Sequence, residues 1–149
     1  MKVIMHIEKD YLIKSKVNKV WGFISDPKKF GTCVPNVEYY KEINSKHYIV
    51  IVKPQFVFLK TKITMDWKVI SLGKNSGKLR IKGKTIGSTF DVITKLNLLE
   101  KKGSSILRWG ADVLRLEGIL KVVPNTVIGA IGIKLADDIF NCVGLKTKE

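Results

Sequence analysis

Arginine is nearly missing from this 149-residue chain: of its 27 basic residues only Arg80, Arg108 and Arg115 are arginine. A formal net charge of +14 raises nucleic acid as a partner. The side chain suited to bidentate recognition of phosphate and guanine is scarce, however, and the lysines are spread along the whole chain. The composition argues against nucleic acid and favours an anionic membrane surface or an acidic protein as the charged partner. Histidine is scarce too. His6 and His47 are isolated, with no second ligand at helical or strand spacing, so no metal site is expected. Cysteine is limited to Cys33 and Cys142. The opening MKVIMHIEKDYLIKSK mixes acid and base too early for a signal peptide. Both cysteines are therefore expected as reduced, apolar-facing thiols in a cytoplasmic protein. No repeat, G-x-S-x-G, P-loop or Cys–His arrangement occurs, and no cofactor is expected. Long apolar runs are lacking as well. The charge-free stretch VVPNTVIGAIGI at 122–133 falls short of the roughly 20 residues needed to span a bilayer, so it must be buried in protein or docked on something apolar.

What is present is a clear sequence of periods. Val3, Met5, Ile7, Tyr11 and Ile13 share one parity in a first strand over 2–13, interrupted by Lys9. Val17, Val20, Trp21 and Ile24 then mark one face of a helix, with Ser15 as its expected cap. Asp26-Pro27 stops that helix and starts a second, short one, with Asp26 as N-cap and Pro27 at the first helical position. From Val37 the period becomes two. VEYYKEI and HYIVIVK flank a turn at Asn44-Ser45, and a long strand is expected over 57–72. Within it Ile63, Met65, Trp67 and Val69 face one way, while Lys62, Thr64, Asp66 and Lys68 face the other, as in a sheet with one wet face. Further inward rows follow: Leu79 and Ile81; Phe90, Val92, Leu96 and Leu98; Leu107, Trp109, Ala111 and Val113. The turns between them mean an antiparallel meander. Ile128, Ile131, Leu135, Ile139 and Val143 then recur at helical steps. The order is β–α–α–six strands–α, an α+β chain read as one domain over residues 1–149. The last helix is the only large element able to cover the apolar face of the sheet.

Four stretches carry a resemblance: VWGFISDP at 20–27, CVPNVEYY at 33–40, LRWGADVLRLEGIL at 107–120 and KLADDIF at 134–140. In this order they resemble the G-subunit family of carbon monoxide dehydrogenase, within the START-like or helix-grip superfamily of polyketide cyclases and lipid-transfer domains. That family reads roughly VW-x-x-L-x-DP, C-[IV]-PG, L-x-[WY]-x-A-x-V-x-GG-x-L and KLA-x-x-F. Three positions depart from it: Asn36 stands for Gly, Glu117 for the first Gly of the pair, and Pro124 lies inside the last helix. Asn36 can take the turn conformation of Gly. The last helix is expected either to begin near Gly118 and kink, or to begin afresh at Pro124. The resemblance implies a curved antiparallel sheet of six to seven strands wrapped around a long C-terminal helix, with two short helices after the first strand. It also implies a non-catalytic accessory role beside a molybdenum hydroxylase of the carbon monoxide dehydrogenase type, at the inner face of the membrane where electrons reach quinones.

A sheet curled around a helix leaves a gap where side chains are too small to fill it, and such gaps are natural ligand cavities. The expected occupant is an apolar small molecule, and the family resemblance implies a quinone, another isoprenoid or a lipid. The expected lining is Phe56, Phe58, Trp67, Phe90 and Trp109 from the sheet, with Val127, Ile128, Ile131 and Leu135 from the helix. Arg115 shares the parity of the inward row and is a candidate anchor for a polar head, unless a strand end or bulge lets it reach water. Asp66, Asp91 and Asp112 point to the wet face, so no matched acid and base faces the cavity and no catalytic residue is expected. The alternatives are a cyclase- or dehydratase-like enzyme of the same fold, or a protein-binding adaptor with a filled core. Gly129 and Gly132 share a helix face, leaving room for close sheet contact or for ligand. In the second case Gly129→Leu should impair binding more than stability.

Overall fold

A computed structural model describes residues 2–55 and 61–148. Strand β1 (Met5–Ile13) leads into helices α1 (Val17–Ile24) and α2 (Pro27–Gly31). Six further strands follow: β2 (Val37–Asn44), β3 (His47–Val52), β4 (Ile63–Gly73), β5 (Ser76–Thr85), β6 (Ser88–Lys101) and β7 (Ser104–Gly118). The chain then forms a one-turn helix α3 (Ile119–Val122) and the long helix α4 (Asn125–Thr147). The seven strands make one antiparallel sheet in the order β1-β7-β6-β5-β4-β3-β2. The strand expected over 57–72 begins, where it is described, at Ile63.

Local chemistry explains most boundaries. Asp26 caps α2: its carboxylate accepts from Lys28 N at 3.0 Å, with Pro27 at the first helical position. Ser15 does not cap α1, whose N-cap is Lys16. Buried Ser15 instead ties three elements together. Its Oγ donates to Thr147 O at 3.0 Å, and Ser105 Oγ donates to Ser15 O at 2.7 Å. A hydroxyl spent on buried long-range partners is worth more there than at an exposed cap, because those carbonyls would otherwise be buried unpaired. Asn36 is left-handed at φ 60°, as the turn before β2 requires.

Two apolar clusters hold the molecule. One joins Ile13, Val20, Leu98 and Leu107 to Ala136, Phe140 and Val143 of α4. The other gathers Tyr48, Val50, Val52, Ile63 and Trp67 on β3 and β4. The expectation of two free thiols is overturned: Cys33 and Cys142, 109 positions apart in sequence, form a disulfide with their Cα atoms 5.5 Å apart. The turn after α2 sets Cys33 against α4 within the first cluster, a juxtaposition that spacing alone cannot reveal.

The helix break falls where Pro124 stands. Gly118 (φ 70°) starts α3, Val123 is extended, and α4 begins afresh with Pro124 as its N-cap. The stretch 122–133 is thus split: Val122 is 80% exposed and Val127 39%, so its first half is not gripped by the sheet. Further along, a Cβ on Gly129 would sit 3.1 Å from Met5 Cε, and one on Gly132 would sit 3.0 Å from Ile7 Cδ1. Of the two expected uses of Gly129, the structure shows close contact of α4 with β1, and Gly129 is not among the residues that line the cavity described below. No helix among the described residues is long and apolar enough to cross a membrane.

Candidate ligand-binding cavity

The cavity lies between the inner sheet face and α4 and has a volume of about 760 Å³, within the range of small-molecule sites. The strand register builds its floor. One inner row runs straight across five strands: Tyr48, Trp67, Ile81, Val92 and Val113. In the next row Phe90 pairs with Gly83, and its ring lies over the space a Cβ on Gly83 would take. Helix α4 supplies Ile128, Ile131, Leu135 and Ile139, while α2 and the following turn add Phe30, Val34 and Pro35.

Of the residues expected to line a cavity, Trp67, Phe90, Trp109, Ile128, Ile131 and Leu135 all do, and Leu135 sits at an exposed edge. Val127 does not; it is part of the exposed first turn of α4. Phe56 and Phe58 lie outside the described residues. Phe30, Val34 and Pro35 escaped sequence reasoning, while Gly132, one of the two glycines expected to leave room on the helix face, does enter the lining.

Arg115 faces away from the cavity. The register shifts between Asp91 and Val92, which pair with Arg115 and Val113, so Leu114 is the extra residue of a bulge. A bulge resets the alternation by one. Leu116 thereby takes the inward place, and Arg115 stands opposite Asp91 on the outer face. There Asp91 also accepts from Arg80, Nε to Oδ1 at 3.0 Å and Nη2 to Oδ2 at 2.6 Å. That guanidinium holds the Asp91 carboxyl below its usual range. The other outward aspartates are also partnered: Asp66 with His47 at 2.8 Å, and Asp112 with His6 at 2.6 Å and Lys95 at 3.1 Å. Lys9, the other inward-parity cation, reaches α4. Its Nζ donates to Asp137 Oδ1 at 2.9 Å, and Tyr11 OH donates to the same oxygen at 2.7 Å, which together lower the Asp137 pKa.

Among the described residues two buried polar atoms, Tyr40 OH and Trp67 Nε1, stand without a hydrogen-bond partner, and one of them, on Trp67, belongs to the cavity lining. Such an atom costs about 1–3 kcal/mol. Burial pushes the Tyr40 phenol up to about 12, so it remains protonated at neutral pH.

The profile of the CoxG family, the G subunit of carbon monoxide dehydrogenase, matches residues 11–148. The chain belongs to that family. No curated protein matches the sequence. Among solved structures, a conserved protein from Geobacillus kaustophilus superposes with a TM-score of 0.90 at 15% identity, covering 96% of this chain and 95% of its own. A START superfamily protein from Mycobacterium smegmatis superposes at 0.78 with 10% identity, covering 96% and 97%. At such identities the likeness carries the fold alone, and the fold is START-like. Within this member of the CoxG family the departures from the shared pattern have local explanations. Asn36 supplies the left-handed turn. Glu117 is exposed and accepts from Thr89 Oγ1 at 2.7 Å, so a side chain is tolerated there. Gly118, the retained glycine of the pair, has positive φ and lies against the Gly87 backbone, where no Cβ fits.

Proposed function

We propose that this protein binds an apolar small molecule between its sheet and α4, as a non-catalytic accessory factor for a molybdenum hydroxylase of the carbon monoxide dehydrogenase type. The observation that carries this reading is the cavity itself: about 760 Å³, lined mainly by aliphatic and aromatic side chains. A space of that size argues against an adaptor with a filled core, since such sites begin at about 300 Å³. Membership of the CoxG family points to the enzyme partner. A binding role is favoured over acid–base catalysis because the aspartates of the sheet point outward, where Arg80 engages Asp91 and Lys95 engages Asp112. Among the described residues the one carboxylate that lines the cavity, Asp138, is held by Lys134 Nζ at 2.6 Å. Native mass spectrometry of gently isolated protein is expected to show added mass from a quinone, isoprenoid or lipid, and the emptied protein should take up a short-chain quinone analogue. Bare protein that also ignores the analogue would sink the proposal.

Attachment at the cytoplasmic face of a membrane is part of the same reading. One end of the molecule exposes aliphatic side chains beside lysines. Ile86 (80% exposed) sits in the β5–β6 turn, next to the Gly87 carbonyl that accepts from Ile119 N at 3.0 Å, and α3 exposes Ile119 and Val122. Lys84 and Lys121 flank them in sequence. Apolar tips among lysines suit the interface of an anionic bilayer. The protein is expected to float with vesicles containing phosphatidylglycerol and less with pure phosphatidylcholine, and Ile86→Asp with Val122→Asp should abolish flotation. Equal behaviour of parent and variant would refute this surface.

A further inference from the structure

Three hydroxyls that face the cavity are satisfied within the protein. Thr94 Oγ1 donates to Leu79 O at 3.3 Å, Tyr48 OH to Ser45 O at 2.7 Å, and Ser25 Oγ to Trp21 O at 2.6 Å. Trp67 differs. It lines the cavity from the middle of β4, is only 7% exposed, and its Nε1–H has no partner among the described residues. An indole N–H is a donor only, so nothing but an acceptor can satisfy it. A resident water would need two to four polar partners. The neighbours of Trp67 in the register are Tyr48, whose hydroxyl is committed to Ser45, and Ile81; the Phe30 ring lies 6.1 Å away. Ile81 and Phe30 offer a water no hydrogen bond, and Tyr48 offers at most an acceptor lone pair, fewer partners than a resident water needs. Tyr40 OH, the other buried orphan, is absent from the lining and plays no part here.

We infer that the occupant of the cavity carries a hydrogen-bond acceptor oxygen within an otherwise apolar body, and that Trp67 Nε1 is the donor that receives it. This rests on the ligand reading above and sharpens it: the cavity discriminates carbonyl-bearing molecules from hydrocarbons of the same shape. A hydrocarbon leaves the indole unpaired, whereas a carbonyl completes it; sites built in this way reject analogues that lack the polar group.

Two probes of nearly equal shape test the inference: 2-acetylnaphthalene, and 2-isopropenylnaphthalene, in which CH₂ replaces the carbonyl oxygen. In the parent protein the Trp67 indole ¹H–¹⁵N signal should move downfield with the ketone and not with the alkene. The signal is identified among those of Trp21, Trp67 and Trp109 by its loss in Trp67→Phe. The ratio of ketone to alkene affinity should fall about 10-fold in Trp67→Phe, and using the ratio cancels the change in ring size. If both probes bind and move the signal alike, or the ratio is unchanged, the donor assignment is wrong while the cavity reading stands. If neither binds the parent protein, the cavity reading itself fails and takes this inference with it. Should Trp67→Phe not fold, the signal is assigned by elimination with Trp21→Phe and Trp109→Phe, and its response in the parent protein decides alone.

Discussion

A Gly118→Ala protein is expected to melt roughly 10 °C below the parent, a loss of at least about 3 kcal/mol. Two costs combine at this position. The backbone holds φ 70° and ψ −135°, a region nearly closed to residues with a Cβ, which costs about 1–3 kcal/mol. The added methyl would also overlap the backbone of Gly87, and backbone cannot step aside as the end of a flexible side chain can. What holds the two segments together makes the overlap unavoidable: Ile119 N donates to Gly87 O at 3.0 Å, and Ser88 pairs with Gly118 in the β6–β7 register. Gly144→Ala is the matched control. A Cβ there meets nothing within 4 Å, so it should raise stability by up to about 1 kcal/mol through helix propensity. Thermal melts of the three proteins in parallel check this. A Gly118→Ala protein within 2 °C of the parent would count against the described junction of β7 and α3.

Removing the Cys33–Cys142 bond should cost about as much by a different route. The bond closes a loop of more than a hundred residues, and in the chain-entropy account such a crosslink is worth roughly 3–5 kcal/mol through its effect on the unfolded chain. Full reduction, verified by mass, or the pair Cys33→Ala and Cys142→Ala, should lower the melting temperature by about 10 °C. The folded geometry should persist, since Cys33 lies within an apolar cluster that includes Val20, Phe140 and Val143. Identical melts with and without reductant would show that the thiols are not bonded in solution.

Much of this architecture was readable from alternation and turn chemistry. The inward rows of β4 to β7 follow directly from period two, because a one-sided sheet cannot bury the wrong parity. Asp26 and Asn36 announced a cap and a left-handed turn through side-chain chemistry that acts within a few residues. What sequence reasoning missed is long-range or depends on a single inserted residue. Leu114 flips the parity of Arg115 and Leu116, and no local pattern distinguishes a bulge from continued alternation. Ser15 looks like a cap until α4 brings Thr147 to it from 132 positions away. The disulfide partners are similarly distant. Gly129 and Gly132 were visible as anomalies, but only the position of β1 decides that they answer to Met5 and Ile7. Trp67 was readable as an inward aromatic; its unpaired N–H emerges only when every neighbour's hydrogen bond has been assigned.

The strand order also has a consequence in time. Among the described residues each of β2 to β6 pairs with the next strand in the chain, but β1 pairs only with β7, Met5 opposite Val113 and Ile13 opposite Ser105. During synthesis the first strand made must therefore wait for the last, while the five intervening hairpin pairings can form as they emerge. The roof of the cavity comes later still, since α4 follows β7 and is tied back to Cys33 by the final link, Cys142. The cavity is consequently closed only in the finished molecule, never in the growing one.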